Sequence, residues 1–134
     1  MAFKPIGLED GASMYVPGAA TAITKGNALK NSSGNYTPSA SGDNTDVEFV
    51  SMETITPASA GDPVLACRVK GVKFVADTSN TPTAAQMNTY VDLSAAGTID
   101  TSATTDAVFF AAKLLGPASD KKVIGWFQQG AINS

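Results

Sequence analysis

The 134-residue chain contains no histidine, so the commonest general base and the commonest metal ligand are both missing. Its single cysteine, Cys67, cannot form an internal disulfide and offers a metal no second thiolate. Cys67 lies in VLACRV, where strand alternation groups it with Leu65 and Val69 and turns Arg68 and Lys70 to the other face. That is the setting of a small buried hydrophobe, not of a reactive thiol. The acids are scattered. Glu9 and Asp10 come early, Asp43 and Asp46 fall in a polar loop, and Glu48 and Glu53 follow along a strand. None has a recurring catalytic spacing, and solvated surface acids are the expectation. Asp46 and Asp106 open corresponding strands and are expected to hold Asx-type turns. Lys113, Lys121 and Lys122 have no SxxK context. The Ser/Gly-rich loop from Ser39 to Asn44 lacks the GxxxxGK[ST] spacing of a phosphate cradle and reads as a connection between strands. We therefore expect no catalytic residues, no metal ligands and no cofactor, and so no enzyme.

What remains are aromatic side chains with surface chemistry. Trp126 and Phe127 are neighbours in a strand, so one ring enters the core and the other faces outward or lies under a loop. The apolar strand around it favours Trp126 in the core, whereas an outward Trp126 would suit an interface anchor. Tyr36, with Asn35 and Asn44 nearby in sequence, is the best candidate for a carbohydrate-binding or adhesive surface.

The elements that position these residues are organised by an internal echo. Thr105 to Gln129 repeats Thr45 to Val69 at a distance of about 60 residues, with Thr45/Thr105, Asp46/Asp106, Phe49/Phe109, Pro57/Pro117, Ala58/Ala118 and Ser59/Ser119 identical. Each copy reads as strand, polar turn, strand. In the later copy these are Ala107 to Leu115, Gly116 to Lys122 and Val123 to Phe127. Pro117 has no amide proton and would clash with a preceding helical turn, which favours paired strands over a helical hairpin from Asp106.

Residues 1–18 are punctuated by Pro5, Gly7, Gly11, Pro17 and Gly18 and read as an extended N-terminal arm, with one short strand at Ser13 to Val16. Phe3, Ile6 and Leu8 are apolar enough to dock such an arm on a neighbour; a frayed terminus is the other reading. Asn31 to Asn35 is hairpin-loop chemistry, which would set Leu29 and Tyr36 opposite each other. Lys70-Gly71 splits two apolar runs by a bulge or a tight turn. One short helix is expected after Asp77, with Thr81 as N-cap and Pro82 in the first turn. Tyr90 to Leu93 reads as a strand, and Ala95 to Thr98 as a turn matching that at Ser32 to Asn35.

These pieces give eight to ten short strands, an all-β compact antiparallel barrel or sandwich with one short helix. The organisation is an arm over 1–18 and a single β domain over 19–134, with a weak duplication over about 27–76 and 90–129. Core candidates are Val47, Phe49, Leu65, Cys67, Val69, Phe74, Phe109, Leu114, Val123, Ile124 and Phe127. Charged residues make up only 16% of the chain, and the net charge of −3 comes without a basic run, which argues against nucleic-acid binding. No apolar stretch approaches the roughly 18 residues of a membrane helix, and MAFKPIGLED lacks a secretory apolar region, so we expect no membrane partner and synthesis in a cytoplasm.

The order of segments resembles the bacteriophage capsid decoration proteins, the small head-stabilising or cement proteins of the outer shell. The resemblance is carried by SMYVPG at Ser13 to Gly18, the TKGNAL hairpin at Thr24 to Leu29, AGDPVLACRVKGVKFVADTS at Ala60 to Ser79, and YVDLSAAGTI at Tyr90 to Ile99. It covers most of the chain after the arm. What it implies is a β-tulip-like fold, a homotrimer, a site on the outer capsid surface of the virion, and a major capsid protein as partner. It further implies that the arm bridges to that partner. Phe3, Lys4, Pro5, Ile6 and Leu8 would then make capsid contacts, with Tyr15 and Trp126 as further capsid or subunit contacts. An arm of this kind would be removable without a change in melting.

Overall fold

A computed structural model describes residues 2–7, 13–41, 43 and 47–128. Eleven strands follow one another among them: β1 (Phe3–Ile6), β2 (Ser13–Pro17), β3 (Ala28–Ser32), β4 (Asn35–Pro38), β5 (Val47–Ser51), β6 (Pro63–Arg68), β7 (Lys73–Thr78), β8 (Thr89–Ala95), β9 (Thr98–Asp100), β10 (Phe109–Leu114) and β11 (Lys122–Phe127). The fold is all-β. The two stretches that echo each other in sequence are both antiparallel hairpins, β5–β6 and β10–β11.

The first sheet runs β1-β7-β11-β10-β8-β9, and β9 returns to β7, which closes five strands into a barrel. The closing joint is parallel, Asp77 beside Thr98 and Thr78 beside Ile99, so the barrel is mixed and not antiparallel as expected. Parity explains the difference. Five strands that alternate in direction bring the first and last back side by side pointing the same way. The second sheet, β2-β6-β5-β3-β4, is antiparallel throughout, and its ends meet at one parallel bridge, Gly18 with Tyr36.

The expected short helix is reduced to a single 3₁₀ turn at Ala84–Gln86, and a second such turn stands at Ala118–Asp120. Thr83 and not Thr81 takes the N-cap position; its N–H donates to Gln86 Oε1 at 3.1 Å. Gln86 Oε1 also accepts from the Thr101 hydroxyl at 2.7 Å, and Met87 is already extended (φ −79°, ψ 165°), so the turn cannot propagate.

Turn chemistry sets register. Ser33 and Gly34 both have positive φ, 52° and 93°, the type I′ geometry whose twist matches that of a two-residue hairpin. The turn pairs Ser32 with Asn35, so Tyr36 stands opposite Asn31, and Leu29 opposite Pro38. The expected Leu29–Tyr36 pairing is therefore displaced by two residues. At Lys70-Gly71 the tight turn is present, with Val72 N–H donating to the Val69 carbonyl at 3.2 Å. Its effect is larger than a hairpin, because β6 and β7 lie in different sheets and the turn carries the chain from one to the other.

The main core draws on both sheets. Phe3, Phe74, Val91, Leu93, Ile99, Phe109, Val123 and Phe127 come from the first, and Val47, Val50, Cys67 and Val69 are added by the second sheet and its exit. Its centre is an aromatic cluster in which Phe127 meets Phe3, Phe74 and Phe109 at centroid distances of 4.8, 5.4 and 5.1 Å. A smaller core of Val16, Ile23, Leu29, Val64 and Ala66, with Tyr36, Phe49 and Ile55 packed against it, fills the second sheet. Of the expected core residues, Val47, Cys67, Val69, Phe74, Phe109, Val123 and Phe127 are buried. Phe49, Leu65, Leu114 and Ile124 are only partly so. The short strand expected at Ser13 to Val16 is present as β2 in the second sheet, and residues 3–6, read from sequence as part of an arm, form a strand of the first. Among the described residues no helix is long and apolar enough to cross a membrane.

Candidate functional site

The barrel wall carries an aromatic row on its outer face. Phe109, Val91 and Phe127 point inward and are buried, so alternation turns Phe110, Tyr90 and Trp126 outward. Phe110 pairs with Tyr90 of β8 on one side and with Trp126 of β11 on the other. The rings follow the pairing. Phe110 stacks on Trp126 at 4.8 Å with 25° between planes, and Tyr90 meets Phe110 at 4.9 Å and 64°.

A β-bulge makes this alignment. The β10–β11 register shifts between Ala111 and Lys113, so that Lys113 pairs with Ile124 and Leu114 with Val123, one step out of phase with Phe110 and Trp126. At the bulge Gly125 pairs with Ala111, and any side chain there is excluded. A Cβ would land on the Phe110 carbonyl oxygen and 2.7 Å from Phe109 Cε1. Glycine lets the two backbones close while Trp126 stays aimed at Phe110.

Around the row the wall is apolar, then basic. Val75 pairs with Ile124 on one side and Lys4 on the other, and both apolar side chains are half-buried. Ile6, 42% exposed, pairs with Lys73, which lies one step beyond the Gly125–Phe74 pair on the Trp126 side. Lys4, Lys73, Lys113 and Lys122 are exposed at the edges of this wall, and Lys122 is ion-paired with Asp77. Lysines thus line the β1, β7 and β11 side of this wall, while Asp92 and Asp100 stand opposite each other across β8 and β9.

The residues singled out from sequence divide sharply. Lys4, Ile6 and Trp126 share the outer face of the first sheet, on β1 and β11 either side of β7. Phe3 does not join them; it is fully buried against Phe109 and Phe127. Pro5 is half-buried on β1, and Leu8 lies outside the described residues. Tyr15, 66% exposed, is on β2 of the other sheet. Trp126 is the outward member of its pair and Phe127 the inward one, contrary to the preference for a core Trp, because β10 presents Phe109 to the interior opposite Phe127. Tyr90 and Phe110 join Trp126 in the row, although the sequence alone does not single them out. Their sequence signal was an aromatic at the outward phase of each strand, but only register reveals that the phases coincide.

The polar candidates are engaged locally. Tyr36 donates to Glu48 Oε2 at 2.6 Å and meets Phe49 edge-on at 5.0 Å, so its ring is not an open platform. Burial first, then Glu48, pushes the Tyr36 phenol above its ordinary pKa. Glu53 accepts from the Leu65 N–H at 2.6 Å, and Asp43 is paired with Lys30 at 3.0 Å. Asp106 is held through its own N–H by Asp92 Oδ1 at 2.8 Å, in place of the expected Asx turn. Glu9, Asp10, Asn44 and Asp46 lie outside the described residues. Burial pushes the Cys67 thiol up, against the charge of Arg68, and its Sγ meets the Arg68 carbonyl at 3.2 Å. Among the described residues no group of three or more His, Cys, Asp or Glu is placed to hold a metal ion. The arrangement on the barrel wall is suited to contact: large apolar rings to desolvate and lysines to orient an acidic partner surface. No protein-family model matches the chain, and neither does any curated protein.

Proposed function

We propose that this chain is a non-enzymatic structural protein of a bacteriophage virion. In this reading it binds the outer surface of the capsid as a homotrimer and stabilises the shell, with the major capsid protein as its partner and a β-tulip-like barrel as its scaffold. The observation that carries the reading is the Tyr90–Phe110–Trp126 row, an aligned aromatic surface on the outside of a closed barrel. Tyr90 is 39% exposed and Phe110 and Trp126 are half-buried on the outside of the wall; outward aromatic surface of this kind, with charge nearby, is what contact surfaces use. The segments that resemble decoration proteins supply β2, the lead into β3, the β6–turn–β7 crossover and the β8–β9 hairpin, so the likeness falls on the scaffold itself. Of the N-terminal residues, Lys4 and Ile6 are exposed and would be available to such a contact, whereas Phe3 is buried in the core. Made in the host cytoplasm, the protein would reside on the outer capsid surface.

The test is cosedimentation with purified expanded heads of the phage that encodes the chain. Wild type is expected to pellet with heads. The Tyr90→Ala/Trp126→Ala double variant, still folded by circular dichroism, is expected to bind at least about 30-fold more weakly, the scale of a lost anchor cluster. A wild-type chain that stays in the supernatant, or a double variant that binds equally well, refutes the reading.

A further inference from the structure

The free edges of the two sheets are treated differently. In β1, the Phe3 N–H donates away from β7 to the Gly26 carbonyl at 3.1 Å, so by alternation the Pro5 nitrogen also faces the free edge. A proline there removes the donor that an incoming strand would need, and Lys4 adds a charge beside it, the usual protection of an edge. In β2, the Gly18 N–H donates toward β6 to Asp62 and the Ala19 N–H donates the other way to Tyr36, both at 2.8 Å. Alternation then aims the main-chain groups of Ser13 and Tyr15 away from β6. The far side agrees: the Leu65 carbonyl, opposite Tyr15, is turned to Met52 of the next connection. No described residue bonds the outward groups of Ser13 or Tyr15. Met14 and Tyr15 are 48% and 66% exposed, and residues 13–16 carry no charge and no proline.

We propose that β2 pairs antiparallel with β2 of a second copy across a twofold axis, Ser13 opposite Tyr15 and Met14 opposite Met14. In that register Ser13 and the partner's Tyr15 exchange both of their N–H···O bonds, and the symmetric pair does the same. Met14 faces its own copy in the non-hydrogen-bonded position between them. The edge is complementary to itself in donors and acceptors, and with no charge on either strand the copies meet without like-charge repulsion. Among the described residues β1 is blocked by Pro5, and β2 meets β4 only beyond its end, at the Gly18–Tyr36 bridge, which leaves Ser13 to Tyr15 outside that joint. The contact lies on the second sheet and does not use the barrel wall, so it goes beyond the capsid reading: it joins copies in pairs away from the shell, whereas the homotrimer proposed above assembles on the capsid through another face, and either can fail without the other.

The test uses the full chain in the absence of shells. Opposed Cα atoms in a non-hydrogen-bonded pair lie about 4.5 Å apart, within disulfide range, whereas diagonal neighbours lie about 7–8 Å apart, beyond it. Met14→Cys is therefore expected to give a disulfide-linked dimer under mild oxidation, and Tyr15→Cys, diagonal to itself across the axis, is not. Wild type is expected to show a concentration-dependent dimer by light scattering, and Met14→Lys, which sets two lysines face to face, to be monomeric. Mixing Met14→Lys with Met14→Glu is expected to restore a heterodimer. The proposal is overturned if Met14→Cys remains uncrosslinked, if Tyr15→Cys crosslinks as readily, or if Met14→Lys associates like wild type with an unchanged melt.

Discussion

The hairpins β5–β6 and β10–β11 share a pattern in the sequence and end up in different roles. In the first, Phe49 pairs with Arg68 and Val50 with Cys67 without interruption. Transposed by 60 residues, that register is what the outer part of the second hairpin keeps, Lys113 with Ile124 and Leu114 with Val123. Beyond the bulge the second hairpin slips by one, and Phe109 then meets Phe127 inside while Phe110 meets Trp126 outside. Without the slip, Trp126 would oppose the inward-facing Ala111. One extra residue in one strand thus converts a hairpin that only packs into one that also presents a surface, the re-aiming that bulges produce. Each hairpin is also finished by an aromatic from elsewhere. Phe3 of β1 seals the barrel hairpin, and Tyr36 of β4 covers Phe49 in the other.

The largest break in this comparison should come from Phe3→Ala. Truncating a fully buried phenylalanine leaves a cavity against Phe109 and Phe127, a loss of about 3–5 kcal/mol. Denaturant melts should show it directly, and deletion of residues 1–6 should lower stability at least as much. An arm merely draped on the surface would leave the midpoint where it was. Next is Gly125→Ala, where the methyl group must push the β10 backbone at the bulge; a cost of about 1–3 kcal/mol is expected, with the Trp126 fluorescence altered as the row loses alignment. An unchanged spectrum and melt would mean that the close approach does not set the row.

The smallest effect belongs to the other hairpin. Tyr36→Phe removes the bond to Glu48 and should cost about 0.5–1.5 kcal/mol. It should also change the alkaline limb. The folded-state pKa of Tyr36 is raised, so the folded chain holds this proton more tightly than the unfolded chain. Its contribution is intact below the ordinary phenol value of about 10 and fades as pH climbs through the folded value. Wild type should therefore lose stability more steeply above about pH 10 than Tyr36→Phe, measured by denaturant midpoints across that range. Parallel curves would remove the buried phenol from the account.

Much of this was legible in the residues. Pro117 and its echo at Pro57 interrupt apolar, β-favouring runs, and both copies are the expected hairpins. Val47, Cys67, Phe74, Phe109, Val123 and Phe127 are buried at inward positions of their strands, and Val69 is buried just past the end of β6. Phe3 reads as part of an arm because prolines and glycines surround it; nothing local says that β7, about seventy residues on, has an edge to receive it. The parallel closure of β9 on β7 follows from strand parity, which appears only once the ring is known. For the site, Trp126 was visible as an aromatic pair with Phe127, but its alignment with Phe110 and Tyr90 depends on a one-residue slip that no periodicity in β10 announces.

The central claim is that the outer aromatic row is the surface by which the chain holds its partner. Oxidative footprinting of Trp126 and Tyr90, on the free protein and on protein bound to phage heads, tests it most directly. Both side chains should be labelled in the free chain and strongly protected on the heads. If the chain binds and these rings are labelled as fast as before, the contact lies elsewhere and the claim is wrong.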